Sequence, residues 1–435
     1  MKENLIVKIG ITPSEAPFRI TCLRTFLYIN AIAENNSIKG GKSKIIFQID
    51  NTNKSKIRHS NEEIIEFYQK MRILPSKHSD VEITTQTDLT NECEKYFEKL
   101  QKLGLIIHNE DETDSFNIKK YIELYGSMIE VADEVNGTTM FDANLLTDND
   151  SIIIKRSNGT FLYNFCAAVD TIHWGFTTLI RGKNKMVSAA FQNMYIKSLG
   201  FETPNYFHLP LLLEENNKNS FNINARSDIR ELFKNGFAYM PVINYILNTG
   251  YGDQTDSYNS IDEFNQKFDI QKIHKSDSHF DFNILKKTCN RFYQHDISYN
   301  DYVDMLKTHV ELMNWPYEIM NYSVIGYKHQ LNPQKIYQLY TQMNEPKFEE
   351  LITDNQKEEI LNLINLLLVN YDDTMSKILN DKQNKKEKLK LIKYILSGSF
   401  DGLTCGVYKS CYDDETYQKR LLYVKNKIIN GSDDN

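Results

Sequence analysis

The chain lacks any apolar run approaching the roughly 18 residues needed to cross a bilayer, so no membrane-spanning helix and no direct membrane insertion are expected. Its polar start, MKENLIVKIG, has neither the basic n-region nor the small-residue cleavage site of a secretory signal. An intracellular location is therefore expected, cytoplasmic or organellar. Cysteine is scarce: Cys22, Cys93, Cys166, Cys289, Cys405 and Cys411 stand without a CxxC pair or a ligand-spaced histidine. That spacing argues against a disulfide framework and a zinc site, and predicts reduced, structural thiols and no metal. Basic charge is not in excess either. The formal net charge of −7 excludes a chain coated in cations, but a local basic patch would still suffice for nucleic acid. One local absence is more specific. The stretch VKIGITPSEAPFRITCLRTFLYI, residues 7–29, reads as the strand, loop and helix that open a nucleotide-binding fold, yet its loop holds no histidine and no glycine.

What is there suits a multidomain globular protein: 435 residues imply two to four domains, and 41% hydrophobic with 25% charged residues is ordinary globular composition. Residues 5–11 predict a buried strand bounded by a turn, and apolar spacing from Leu23 to about Ala33 predicts a helix ended by KGGKS. A strand at 44–50 and a helix at 61–71 follow, the order that a parallel, doubly wound α/β sheet requires. Residues 92–103 and 117–131 predict helices, and 151–165 a hairpin turning at Asn158-Gly159. A strand at 176–182 precedes a helix at 186–201 closed by Gly200. Beyond about 260, amphipathic helices such as 357–379 take over, so an α/β half before about 220 precedes a helical half, with no internal repeat.

Seven segments in order then resemble one family, the glutamyl-tRNA synthetases of bacterial and organellar type. ITPS…LRTFLY is similar to that family's APSPTG…ARTALY, FQIDNTN (47–53) to RIEDTD, and RSNGTFLYNFCAAVD (156–170) to RSDGTPTYNFAVVVDD. GFTTLIRGKNKM stands where the family has GITHVIRGEDHL, and YFHLPLLL (206–213) where it has FAHLPLIL. Residues 260–287 and 389–403 resemble its SLEELIELFDLERVSKSPAVFDVEKLDW and its anticodon-domain stretch FMPLRAALTGREHGP. The resemblance implies a Rossmann-type class I catalytic domain in two parts (1–78 and 156–217), split by an acceptor-stem insert (79–155). A stem-contact domain (218–300) and a helical anticodon-binding domain (301–435) would follow.

The same resemblance exposes what has changed. The family's histidine-and-glycine motif at the first helix is FRITCLR here, leaving Arg19 and Thr21 as the degenerate positions. A β-branched Ile20-Thr21 pair denies the close backbone approach that glycine gives to phosphate. The lysine motif is replaced by EENNKNSFNINARSDI, where Lys218 and Arg226 are the surviving cations. RGEDH has become RGKNK, placing Lys183, Asn184 and Lys185 at acidic and histidine positions. In the implied glutamate pocket, Ser14, Asp50, Tyr163, Asn164 and Arg181 are retained or nearly so, with Arg181 expected to fork onto a carboxylate, while the arginine before APS is Gly10. Basic runs holding Lys54, Lys56, Lys385, Lys386 and Lys388 are candidates for RNA phosphate, or simply solvated faces.

The expected function is thus a catalytically degenerate synthetase-like protein kept for binding tRNA, another RNA or a protein complex, with no role for DNA. The alternatives are an active, divergent glutamate–tRNA ligase, which would use ATP with magnesium, and a repurposed adenylating enzyme.

Overall fold

The structure is a computed structural model that describes residues 3–430 apart from 15, 16, 52–56, 75, 76, 148, 149, 214–226, 254, 255, 296, 347 and 349–351. Two compact units form: Met1–Leu232 with Met240–Thr288, and Phe233–Tyr239 with Cys289–Asn435.

The first unit is built on β1 (Asn4–Ile11), α1 (Ile20–Ile38), β2 (Lys42–Ile49), α2 (Asn61–Lys70), β3 (Asp80–Thr85) and α3 (Thr90–Lys102). A small antiparallel region follows: β4 (Ile106–His108), β5 (Asp114–Asn117), α4 (Ile118–Tyr125), β6 (Met128–Val131), β7 (Thr139–Asp142) and β8 (Ser151–Lys155). The chain then returns through α5 (Tyr163–Trp174), β9 (Thr178–Gly182), α6 (Met186–Ser198) and β10 (Asn205–Leu209). The main sheet has the order β10-β9-β1-β2-β3 and every pairing in it is parallel. Parallel strands are covered on both faces, which is why β2 reads as the nearly unbroken apolar run KIIFQI. Strand order reverses at β1, flanked by β2 on one side and β9 on the other, and in such sheets ligands bind beyond the carboxyl ends at that switch point.

Helix α1 is buried along most of its length rather than on one stripe, so its polar side chains need internal partners. Glu34 accepts from the His78 amide at 2.9 and 3.0 Å, and Asn35 Nδ2 donates to the Asn265 carbonyl at 3.0 Å. The strand, helix, strand, helix order at the start is as the sequence predicts. Three local expectations change. The helix expected over 117–131 stops at Tyr125, because Gly126 at φ 80° ends it, and 128–131 pairs as a strand with 139–142. The turn at Asn158-Gly159 forms, but its second arm is a single bridge, Lys155 with Phe161, because α5 begins at Tyr163. The helix expected over 357–379 is two, Asp354–Val369 and Tyr371–Asn380, broken where extended Asn370 caps the second through the Asp373 amide at 3.0 Å. Strand β3, unforeseen in the sequence, lies in the main sheet within the segment expected to begin the insert.

The second unit is helical, with a core including Leu306, Ile336, Ile364, Ile395 and Leu421. His309, on the helix Tyr299–Met313, is fully buried beside Phe233 and Trp315, with neither ring nitrogen hydrogen-bonded among the described residues. Burial pushes its pKa down to about 3. The unfolded chain therefore takes up this proton first, and stability falls as pH drops from about 6.5 toward 3. Between pH 7 and pH 5 this one group removes about 2 kcal/mol. We expect urea unfolding of His309→Leu to lose that much less over the same interval, whereas an unchanged pH dependence would show that His309 does not stay neutral in the fold.

Candidate active site

A cavity of about 630 Å³ opens at the carboxyl ends of β1 and β9 and is walled on one side by the first two turns of α1. Its floor is an ion cluster. Lys8 sits two residues before Gly10 on β1, so the two share a face. A Cβ built on Gly10 would meet Lys8 Cε at 2.8 Å and Asp50 Oδ2 at 3.2 Å. The absent side chain is what lets Lys8 fold across the strand. Its ammonium then donates to Asp50 at 2.9 Å and to Asp170 at 3.0 Å, with side-chain exposures of 11%, 9% and 1% respectively. Asp170 Oδ2 also accepts from Gln48 at 3.0 Å and Gln86 at 2.8 Å. Burial alone would lower the Lys8 pKa, but Asp170 and Asp50 outweigh it and hold the pKa above the usual lysine value, so the ammonium is kept.

The opposite wall is Arg181, at the end of β9. Its Nη1 donates to Gln192 Oε1 at 2.9 Å, and its guanidinium lies 4.9 Å from the centre of the Tyr206 ring. Nε and Nη2 are buried and have no hydrogen-bond partner among the described residues. These two nitrogens share one edge of the guanidinium, the geometry that accepts a carboxylate bidentately. Gln192 in turn donates to Asn164 Oδ1 at 3.3 Å, so Asn164 stands one residue behind the wall. Tyr163, in the first turn of α5, lines the cavity and is 41% exposed, with the Lys185 ammonium 5.7 Å from its ring centre.

At the N-terminus of α1, Arg19 is exposed and pairs in a single antiparallel bridge with Asp228. The Ile20 amide, a first-turn donor of the kind that meets phosphate, donates to the Ser227 carbonyl at 3.2 Å. Phe18 is buried against Phe67 and Tyr68 with the Arg230 guanidinium 3.9 Å above its ring. Thr21 and Cys22 face the cavity, and burial pushes the Cys22 thiol up, which keeps it protonated and a poor nucleophile. Arg24 is buried, donating to the Pro210 carbonyl and, at 3.5 Å, to the Thr249 carbonyl. No three His, Cys, Asp or Glu side chains converge among the described residues.

Of the residues singled out in the sequence, Arg19, Thr21, Asp50, Tyr163 and Arg181 meet at one cavity. Ser14 is outside its lining, in a turn where its amide donates to the Thr12 carbonyl at 2.8 Å. Lys218, Arg226, Lys54 and Lys56 lie outside the described residues. Lys385 and Lys386 are exposed at the start of the helix Lys385–Ser397, while Lys388 is tied to Asp381 at 2.8 Å, which holds that carboxyl down at about 2. Sequence reasoning missed Lys8, Asp170 and the glutamines around them. The available signal was the two-residue spacing of Lys8 and Gly10 on a strand.

Residues 108–287 match the family model described as tRNA synthetases class I (E and Q), catalytic domain. The chain is 32% identical over 182 residues to a glutamate–tRNA ligase of Blochmanniella floridana, covering 42% of this chain and 37% of that one. It is 35% identical over 195 residues to that of Buchnera aphidicola, covering 44% and 40%. These alignments thus span about two fifths of the length of the curated relatives. A crystal structure of a glutamate tRNA ligase from Elizabethkingia meningosepticum, in complex with its amino acid, has the same fold, with a TM-score of 0.61 at 17% identity, covering 98% of this chain and 100% of that one. Parallel sheet, helical C-terminal region and matched segment define a class I aminoacyl-tRNA synthetase fold. Within that class, residues 108–287 are similar to the catalytic domain of the synthetases for glutamate and glutamine, and the aligned relatives are glutamate–tRNA ligases.

Lys8→Met would leave Asp50 and Asp170 buried beside one another without a counter-ion. We expect it to destabilise the protein by about 3–5 kcal/mol at pH 7, the range for breaking a buried ion pair. Burial already raises the Asp50 pKa against the opposing pull of Lys8, so without Lys8 it rises further, and part of the loss should return as pH falls and Asp50 takes a proton. Urea unfolding at pH 7 and pH 5 checks this, and an equal loss at both pH values would contradict it.

Proposed function

We propose that the protein is a synthetase-like chain that no longer adenylates glutamate and is kept to bind tRNA. The observation that carries the reading is the N-terminus of α1, where no imidazole lines the cavity among the described residues and β-branched Ile20 and Thr21 stand in place of small residues. Making an acyl-adenylate develops charge on the phosphates as pyrophosphate leaves, and preorganised donors are what lower that barrier. Losing two such donors at about 2.7–4 kcal/mol each slows the step by about 10⁴-fold or more. Lys183, Asn184 and Lys185 support the reading. They form a short exposed turn at the cavity rim, offering cations and an amide where the family has acidic and histidine side chains.

Binding of tRNA without charging would keep the parts of the fold that the chemistry does not need. Lys385 and Lys386 are the exposed cations of the helical unit best placed to meet phosphate, because Lys388 already has a carboxylate partner.

Pyrophosphate exchange with glutamate, ATP and total tRNA tests the first half. The expected rate is at least about 10⁴-fold below that of an active glutamate ligase assayed alongside; robust exchange would overturn the reading. Salt-dependent tRNA binding tests the second half. Lys385→Ala with Lys386→Ala should weaken binding and reduce the slope of log K against log salt by about 2. An unchanged slope removes these residues from the interface, and a stable protein partner with no tRNA affinity would replace RNA as the ligand.

A further inference from the structure

The negative charge of the chain is concentrated in one segment. Of its 58 acidic and 51 basic side chains, residues 103–155 hold eleven and three, a formal −8, so the remainder of the chain, with 47 and 48, is close to neutral. Two of those three lysines are engaged, Lys120 with Glu123 at 3.0 Å and Lys155 with Glu94 at 2.9 Å. Glu110, Glu112, Glu130 and Glu134 are exposed and have no cation within ion-pair distance among the described residues. An acceptor stem, which the resemblance places at this insert, would meet carboxylates there, whereas phosphate is held by cations.

The same segment carries an exposed apolar face. Strands β6 and β7 pair Met128 with Asp142 and Glu130 with Met140, so these four side chains share one side of the two-stranded sheet. On the other side, Ile129 and Val131 are buried and Phe141 packs against the core. Met128 and Met140 are 48% and 49% exposed and lie diagonally across the pair, with Glu130 and Asp142 on the other diagonal. Leu145, 84% exposed, follows in the short turn Ala143–Leu145, which the Ala143 amide ties to the Ser127 carbonyl at 2.8 Å, one residue before β6. Large apolar side chains grouped on a surface and set among charges mark an interaction site, and methionine adapts its shape to what it meets.

We propose that the outer face of β6 and β7, with Leu145 beside it, docks a basic protein partner through a segment in which apolar side chains are interspersed with lysine or arginine. The apolar side chains of that segment cover Met128 and Met140, and its cations meet Glu130 and the acidic surface around it. Charge complementarity selects the partner, because a segment of −8 attracts a cationic polypeptide and repels nucleic acid. The inference stands on this segment alone and does not depend on the proposed RNA role.

Nuclear magnetic resonance of the full chain with ¹³C-methyl methionine tests it, the Met128 and Met140 signals being assigned by Met128→Leu and Met140→Leu. The probes are a short synthetic peptide of lysine and leucine, polylysine of the same length and a single-stranded RNA oligonucleotide. The lysine–leucine peptide should shift both signals, bind at least about tenfold more tightly than polylysine and weaken as salt is added. Glu130→Lys should weaken that peptide by about threefold or more. No shift of the two signals at millimolar peptide overturns the proposal. Equal affinity for polylysine overturns it as well, since charge alone would then account for binding, and so does tighter binding of the RNA at these methionines. The comparison of the three probes needs no altered chain beyond the assignment, so it holds even if Glu130→Lys does not fold. Neither adenylation nor tRNA binding enters these readouts, and their failure would leave the proposed function standing.

Discussion

The Lys8 ammonium between Asp50 and Asp170 is the contact on which the rest of the site depends. It joins three elements, β1, the end of β2 and α5, at the point where the sheet reverses its strand order. Two buried carboxylates side by side would repel, and one lysine with glutamine donors around it turns that repulsion into an anchor. The same contact engages Oδ1 of Asp50, the one lining carboxylate among the described residues.

The first helix is tied into its unit, with Arg24 buried and bonded to backbone carbonyls and Tyr28 bonded to the carbonyls of Leu247 and Thr249. Those contacts build the first unit and serve folding whether or not chemistry occurs. At the start of the helix, Phe18 is enclosed by aromatic rings and the Arg230 guanidinium, while Arg19 is exposed and Thr21 and Cys22 line the cavity. The packing of Phe18 favours stability, and the Ile20 amide at that helix N-terminus already donates to the Ser227 carbonyl.

Much of the fold was legible because its signals are local. The apolar run of β2, the helical spacing after Leu23 and the Gly200 terminator each follow from a single physical rule. Elements that depend on partners were not. Strand β3, DVEITT, is weakly apolar and becomes a strand by pairing with β2. Helix α5 was hidden because Tyr163 and Asn164 continue an alternating stretch after a genuine turn, and with α5 unseen, Asp170 had no reason to face Lys8. Arg181, Asp50 and Tyr163 could be named from motifs. The pairing of Lys8 with Asp50 could not, because a lysine in a strand ordinarily reads as solvent-facing, and only the three-dimensional gap over Gly10 reverses that.

The central claim is that Lys8 is locked as an ammonium by two buried carboxylates. Nuclear magnetic resonance of the protein with ¹⁵N-labelled lysine side chains reads this directly, with Lys8→Arg used for assignment. The account predicts that the Lys8 Nζ resonance keeps its protonated shift at pH values where the exposed lysines have titrated. A Lys8 that loses its proton together with them, or before them, would contradict it.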